Sequence, residues 1–302
     1  MRIGILGYGS IGRRHFKNIE ILGSHKLDSY DPKNDRPIHR KTLIDWSDAI
    51  IVASPSINHA KDMMDAVDVG KHVLVEKPFG YDYPPLLVGC LQGARAKWGS
   101  NHIIATGFNL RFHDCVRKTK RLIPEIGQLK AAMFTVRQKT ERPQYLRDGI
   151  IRNWLSHEID LARYLLGDID YVDRCEAPID EHRNDATEAH IVIKFRDVQN
   201  KVHFEADYLS SPESRYFWIE GEDGAIYVDL VKRNVFIRDK DGHHRQVLAA
   251  MDNWDQNYMD EMKCFIKSIE IGQHQTPLAT GEDGVKCLEA VMTARLKAGL
   301  LL

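Results

Sequence analysis

The sequence predicts an α/β protein of two domains, a doubly wound parallel sheet in the first third and an α/β half rich in strands after it. Three observations carry this. Short apolar runs alternate with amphipathic helical stretches from Arg2 to Thr106. A glycine pattern, Gly7-Tyr8-Gly9-Ser10-Ile11-Gly12, stands between the first such run and the first such stretch. From Gly127 to Arg238, strand-like runs instead follow one another with glycine-containing turns between them. At 302 residues the chain is long for a single core and comfortable for two domains.

The first strand is Arg2-Ile3-Gly4-Ile5-Leu6, and Ile11, His15, Ile19 and Leu22 then recur at helical spacing. A GxGxxG pattern between strand and helix is the context of a dinucleotide site, the Rossmann arrangement. Gly7 allows the tight turn, Gly9 lets a pyrophosphate approach the backbone, and Gly12 lets helix and strand pack closely. The helix start then offers the N–H groups of Ser10, Ile11 and Gly12 to phosphate. Lys26-Leu27-Asp28-Ser29-Tyr30 reads as a second strand ending at Asp31, nineteen residues after Gly12. That is the place of the acidic residue that bonds the ribose 2′-hydroxyl, so NAD is expected. Lys33, Arg36, Arg40 and Lys41 follow directly and leave NADP open. Pro32 and Pro37 make this stretch a poor helix, so the second crossover helix is expected to be absent or very short.

Ala49–Ala53 reads as a buried strand, Asn58–Val69 as a helix, His72–Val75 as a strand, Tyr83–Trp98 as a helix and His102–Thr106 as a fifth strand. Parallel sheets of this kind bind ligands at the carboxyl ends of their strands. Two such ends carry chemistry: Ser54-Pro55-Ser56 with His59, and Glu76-Lys77-Pro78. In the second half, Ala131–Arg137, His190–Phe195, Val202–Tyr208, Tyr216–Glu220, Ala225–Val228 and Val235–Arg238 read as strands. Gly221-Glu222-Asp223-Gly224 and Asp239-Lys240-Asp241-Gly242 read as hairpin turns whose glycines supply positive φ. The polar stretch from Gln138 to Arg152 reads as a loop, with Arg142, Tyr145, Arg147 and Arg152 available to an anionic or hydroxylated ligand. A helix follows through Asn153, His157, Asp160 and Ile159 to a cap at Gly167. Asn153 and His157 are four apart and share a helix face. Tyr258–Ile269 has an apolar stripe, and Thr280 with Asp283 forms a capping box for the last helix.

Net charge is −1, with 43% hydrophobic and 28% charged residues. This balance gives no basis for a nucleic-acid or anionic-membrane partner, and no apolar run approaches bilayer length. Five scattered cysteines, with no CxxC pair, argue against a disulfide framework or a zinc site and fit a reducing, cytoplasmic setting. His243-His244 suggests no metal, because neighbouring strand residues face opposite ways. No metal is expected.

Taken together, GYGSIG, ASPSINHA, GKHVLVEKPFG, TGFNLRF, LSHEIDLARYLLG and TGEDGVKCLEAV resemble the Gfo/Idh/MocA family across essentially the whole chain. The resemblance implies a nicotinamide-dependent Rossmann domain, residues 1–110. It implies a second α/β domain with a large open, mostly antiparallel sheet, residues 111–302, the last helix at 283–298 packing back on the first domain. It implies pairing through that sheet as a homodimer or homotetramer. It gives Lys77 contact with substrate and nicotinamide ribose, makes Pro78 the candidate cis residue, and makes His157 the proton-transfer group. Inositol-dehydrogenase-like members carry an aspartate four residues before the histidine, where this chain has Asn153. Candidate catalytic residues are thus Lys77, His157 and Asn153. Candidate cofactor contacts are Gly7, Gly9, Ser10, Ile11, Gly12, Asp31, Ser54, Pro55, His59, Glu76, Lys77 and Asn109. Candidate substrate contacts are Arg111, Arg142, Tyr145 and Asp160. The expected activity is hydride transfer between NAD(P) and a hydroxyl or keto carbon of a sugar, cyclitol or sugar derivative, nucleotide sugars included. An NAD-dependent glycoside hydrolase using transient oxidation and a non-catalytic NAD-binding regulator are the alternatives.

Overall fold

The computed structural model describes residues 1–33, 38–81, 84–139, 149–180, 185–249 and 254–300. Two compact units are present, one of Met1–Phe112 with Asn253–Leu288, the other of His113–Asp252 with Glu289–Leu302.

In the first unit, strand and helix alternate as their periodicity demands. The order is β1 (Arg2–Leu6), α1 (Ser10–Leu22), β2 (Lys26–Tyr30), α2 (Arg40–Trp46), β3 (Ala49–Val52), α3 (His59–Asp68), β4 (His72–Glu76), α4 (Pro84–Trp98) and β5 (Ile104–Gly107). The second crossover helix is present but only seven residues long. Strands β1 to β5 pair in parallel in the order β5-β4-β3-β1-β2. The order reverses at β1, between β2 and β3, which opens the ligand crevice at the carboxyl ends of β1 and β3. Ile3, Ile5, Ile51 and Leu74 are fully buried and pack with Ile19, Phe112, Met262 and Phe265. Near-continuous apolar strands are what a parallel sheet covered on both faces requires.

The second unit holds α5 (Asp114–Leu122), β6 (Leu129–Arg137), α6 (Ser156–Leu166), β7 (Ile169–Glu176), β8 (Ile179–Asp180), β9 (Asp185–Ala186), β10 (Glu188–Phe195), β11 (Val202–Asp207), β12 (Ser214–Gly221), β13 (Gly224–Asp229), β14 (Asn234–Asp239) and β15 (His244–Ala249). Eight of these strands form one sheet in the order β15-β14-β13-β12-β6-β11-β10-β7, antiparallel except for the β6–β11 pair. Alternation divides the sheet's faces. Phe134 stacks on Phe204 and Phe217, ring centroids 5.4 and 5.1 Å apart, on the buried face. On the other face Met133, Trp218, Tyr227 and Phe236 lie in cross-strand register, with Tyr227 40% and Phe236 36% exposed.

One expectation about turns needs correction. Gly242 does adopt positive φ, at 87°, but Gly221 and Gly224 do not. Those two are glycine because of close approach: a Cβ at Gly221 would stand 2.0 Å from the Ile126 carbonyl oxygen, and one at Gly224 would stand 2.2 Å from that of Arg238.

The chain then continues through α7 (Trp254–Glu270) and β16 (Ala279–Thr280), which pairs antiparallel with β5, to α8 (Gly281–Lys297). The capping box of α8 forms in both directions. Thr280 N–H donates to the Asp283 carboxylate at 3.1 Å, and Asp283 N–H donates to Thr280 Oγ1 at 3.0 Å.

Candidate active site

In the first unit, the glycine turn after β1 has the shape its sequence demands. Gly7 has φ +95°, and a Cβ there would meet the Ala53 carbonyl oxygen at 2.4 Å. A Cβ on Gly12 would lie 2.0 Å from the Gly7 oxygen, whereas the space beside Gly9 is open. Helix α1 starts there with Gly9 as its cap; among the described residues no side chain caps its first N–H groups, and its first turn has no acidic residue. An open backbone, free N–H groups and a favourable helix dipole suit the pyrophosphate of a dinucleotide. Ser10 is exposed and Ile11 half-buried, both at this opening.

Asp31 ends β2 beside the same turn. Its carboxylate accepts the Tyr8 N–H at 2.8 Å and the Lys33 N–H at 2.9 Å, so it is anchored next to the glycine turn. Arg40, one of the cations that left NADP open, is engaged elsewhere: its guanidinium donates to Asp62 at 2.6 Å and pairs with Asp65 at 2.7 Å. Lys41 pairs with Asp45. Arg36 lies outside the described residues. An anchored carboxylate and an occupied arginine favour a free ribose hydroxyl over a 2′-phosphate.

Ser54, Pro55 and His59 follow β3. Ser54 Oγ donates to Asp62 at 2.6 Å. His59 is 2% exposed, its ring nitrogens 2.8 Å from the Pro78 and Ser54 carbonyl oxygens, so it ties the ends of β3 and β4 together rather than presenting a ring to solvent. At the end of β4, Lys77 is the one half-exposed residue in the buried run from Val73 to Gly80, and the Lys77–Pro78 peptide is cis. Glu76 turns inward. It is 6% exposed, and its Oε1 lies 2.7 Å from His15 Nε2. Burial works to raise its pKa, yet the bond from His15 and the charges of His15, Lys77 and His59 prevail and hold the carboxyl below its ordinary range. Asn109 is buried, and the Arg111 guanidinium, 5% exposed, donates to Asp283 at 3.2 Å within this unit.

In the second unit, the segment containing His157 is not a uniform α-helix. Ile151–Leu155 is a π-helical turn that leads into α6. Such turns concentrate at functional sites, and apolar periodicity carries no sign of them. From Gly149 to Arg163 every residue is buried except His157, which is half-exposed. Asn153 is 4% exposed, and its Nδ2 donates to Tyr208 Oη at 3.2 Å. Tyr208 is itself buried, packed edge-on to Trp154 at 4.2 Å. Tyr208 is a partner of Asn153 that sequence reasoning missed, since it reads only as the end of a strand. Asp160 is buried at 1% exposure. Helix α6 is held to β12 by Arg215, whose Nε donates to Glu158 at 2.6 Å and whose Nη2 donates at 3.0 Å. Arg142, Tyr145 and Arg147 lie outside the described residues.

Other candidate chemistry is quieter. Burial pushes the Cys115 and Cys175 thiols up to about 12, which leaves them unreactive core residues. Asp239, Asp241 and His243 form an exposed cluster, but Asp239 already accepts the N–H groups of Asp241 and His243 in their turn. Among the described residues no helix is long and apolar enough to cross a membrane.

Comparison with known proteins agrees with this geometry. Residues 37–84 match the oxidoreductase family's NAD-binding Rossmann fold, and residues 116–227 match the GFO/IDH/MocA C-terminal domain. A myo-inositol 2-dehydrogenase of Thermotoga maritima is 26% identical, covering 95% of this chain and 93% of its own. An inositol 2-dehydrogenase of Rhizobium meliloti is 25% identical, covering 95% and 94%. Among solved structures, a UDP-N-acetylglucosamine 3-dehydrogenase of Acidithiobacillus ferrooxidans superposes with TM-score 0.85 at 20% identity, covering 98% of this chain and 97% of that one. A levoglucosan dehydrogenase in complex with NADH and levoglucosan does so with TM-score 0.85 at 19% identity, covering 99% and 97%. The two matched regions cover parts of both units described above, and this chain belongs to the Gfo/Idh/MocA family of NAD-binding oxidoreductases.

Proposed function

We propose that this protein is an NAD-dependent dehydrogenase acting on a secondary hydroxyl of a sugar, a cyclitol or a sugar derivative, nucleotide sugars included. The observation that carries the reading is the exposure pattern around its two candidate groups. Lys77 and His157 each stand as the single half-exposed residue in an otherwise buried run, one in an NAD-binding unit and one on a π-to-α helix. Burying every neighbour while leaving one ionisable side chain open is a poor use of a core and a good way to present a reactive group. The polyhydroxylated substrates named for the family members above support the substrate class.

The residues divide the work as follows. The N–H groups at the start of α1 hold the pyrophosphate, and Asp31 accepts from the adenosine ribose. Bound NAD supplies the hydride acceptor. The ammonium of Lys77 donates a hydrogen bond to the substrate oxygen. The imidazole of His157 takes the hydroxyl proton during oxidation and returns it in the reverse direction; a histidine titrates in the range such a transfer needs. Asn153, held by Tyr208, occupies the place of the relatives' aspartate and positions a substrate hydroxyl. Copies of the chain pair through the sheet face that bears Trp218, Tyr227 and Phe236, because an exposed aromatic strip in register across three strands is an association surface.

The test is NADH formation across a panel of sugars, cyclitols and sugar nucleotides, with NADP in parallel. Lys77→Ala and His157→Ala should each lower kcat by at least about a hundredfold while NAD still binds. Turnover that survives both substitutions would overturn the assignment. Aglycone release without net NADH would instead identify a glycoside hydrolase.

A further inference from the structure

The buried His15–Glu76 pair is left unused by the catalytic assignment, although Glu76 directly precedes the lysine and accepts its backbone N–H. His15 belongs to α1, the helix whose start holds the dinucleotide, and it is 0% exposed. Glu76 is the last residue of β4, next to Lys77. Its Oε1 meets His15 Nε2 at 2.7 Å, and its Oε2 accepts the backbone N–H of Lys77 at 3.2 Å. Gly107 gives this carboxylate room: a Cβ there would stand 3.2–3.3 Å from its three atoms, so the side chain would have to give by a few tenths of an ångström. An ionised carboxylate only accepts hydrogen bonds, so Nε2 of His15 must carry the proton toward it. The far edge of His15 packs against the Tyr258 ring, centroids 6.1 Å apart, and that ring lies beneath the Arg14 guanidinium at 4.6 Å. His59 contributes charge from α3, and α7, which carries Tyr258, also carries the buried Glu261 one turn on. No other described residue is hydrogen-bonded to the Glu76 side chain.

A carboxylate buried this deeply takes up a proton unless something compensates it. We propose that His15 is a positioning residue that keeps Glu76 charged, and that Glu76 in turn is the buried counter-charge which holds Lys77 as an ammonium and fixes its backbone. The same helix would then bind the cofactor at its start and set the charge of the catalytic lysine one turn later. The direction of the Glu76 shift agrees: its carboxyl is held low despite burial, with His15 the leading cause of that lowering. The attraction is reciprocal, so an anion stabilised by Lys77 stabilises the Lys77 cation equally. The catalytic consequence rests on the role assigned to Lys77 above, but the electrostatic claim does not.

The full-length protein, with its lysines reductively methylated with carbon-13, is titrated by NMR, and the Lys77 signal is assigned by its loss in Lys77→Arg. Glu76→Gln and His15→Leu should each lower the Lys77 midpoint by about one pH unit. His15→Gln, whose amide still donates to the carboxylate, should lower it by less. Glu76→Gln is nearly isosteric and carries the test if His15→Leu fails to fold. A Lys77 midpoint unchanged within about 0.2 unit in Glu76→Gln overturns the proposal, as does a shift in Glu76→Gln that neither His15 variant reproduces. Because this readout needs neither substrate nor turnover, it is independent of the catalytic assignment. Lys77→Ala retaining turnover would sink that assignment and leave the titration result standing.

Discussion

Replacing Asn153 with aspartate installs the residue that the family resemblance gives to inositol-dehydrogenase-like members, and its effects can be worked out from two neighbours, one along the chain and one across the fold. The first is His157, four residues on. Side chains four apart on one helical face have Cβ atoms about 6 Å apart, which sets the scale across this π-to-α junction. At that distance a new anion attracts an imidazolium by about 3 kcal/mol at an effective dielectric of 20, and by less than about 1 kcal/mol in bulk water. That corresponds to a rise in histidine pKa between about 0.5 and about 2 units. If His157 acts as base in its neutral form, the acid limb of the kcat/KM profile moves to higher pH by that amount. The second neighbour is Tyr208. Asn153 is 4% exposed and donates to Tyr208 Oη at 3.2 Å, whereas a carboxylate cannot donate. The phenol must rotate to donate instead, and the buried carboxyl acquires a raised pKa. A carboxyl raised on folding favours the unfolded state once pH exceeds its unfolded value, so the variant should lose about 1–3 kcal/mol at pH 7. It should regain that loss as pH falls toward 4. The assays are kcat/KM against pH from 5 to 9 and urea unfolding at pH 4 and 7. An acid limb that stays in place or moves down refutes the proximity of these two groups. Equal destabilisation at both pH values refutes the burial argument.

Two further outcomes follow from other parts of the structure. His113 caps α5 by accepting the Cys115 N–H at Nδ1, 3.2 Å away, and burial followed by the Arg233 charge pushes its pKa from 6.5 to about 4. The unfolded chain therefore takes up a proton between pH 6.5 and 4 that the native state refuses, and stability declines through that window as pH falls. His113→Asn keeps a capping acceptor that does not titrate; urea unfolding should show it sparing about 2 kcal/mol of the loss between pH 7.5 and 5, and an unchanged slope would rule this out. Tyr227→Glu places a charge in the aromatic strip of the large sheet and should convert the proposed oligomer to monomer by light scattering. A wild-type protein that is already monomeric, or a Tyr227→Glu variant of unchanged mass, removes that face from consideration.

Much of the fold could be read from local pattern. The apolar runs ending at Leu6 and Val52 became parallel strands because a sheet covered on both faces needs no alternation. The spacing from Gly12 to Asp31 located the dinucleotide turn, and Thr280 with Asp283 located the start of α8, since both depend on backbone geometry within a few residues. The β7 strand, Ile169–Glu176, was not legible, because its alternation is broken by charged residues and by the register shifts in its pairing with β10.

The sequence by itself determined the family, the NAD-binding turn, and the identity of Lys77 and His157 as candidates, because each is written as a short motif whose meaning is local. The tertiary structure decided which motif residues face outward and which hold the frame. Glu76, His59 and Arg111 read as ligand contacts, and the fold adds to each a partner distant in the chain: His15, the Pro78 carbonyl and Asp283. Tyr208 and the π-turn around Asn153 had no signal at all. The physical reason is the same in each case. A hydrogen bond between residues tens of positions apart depends on where strands and helices pack, and periodicity records only which face of an element is apolar.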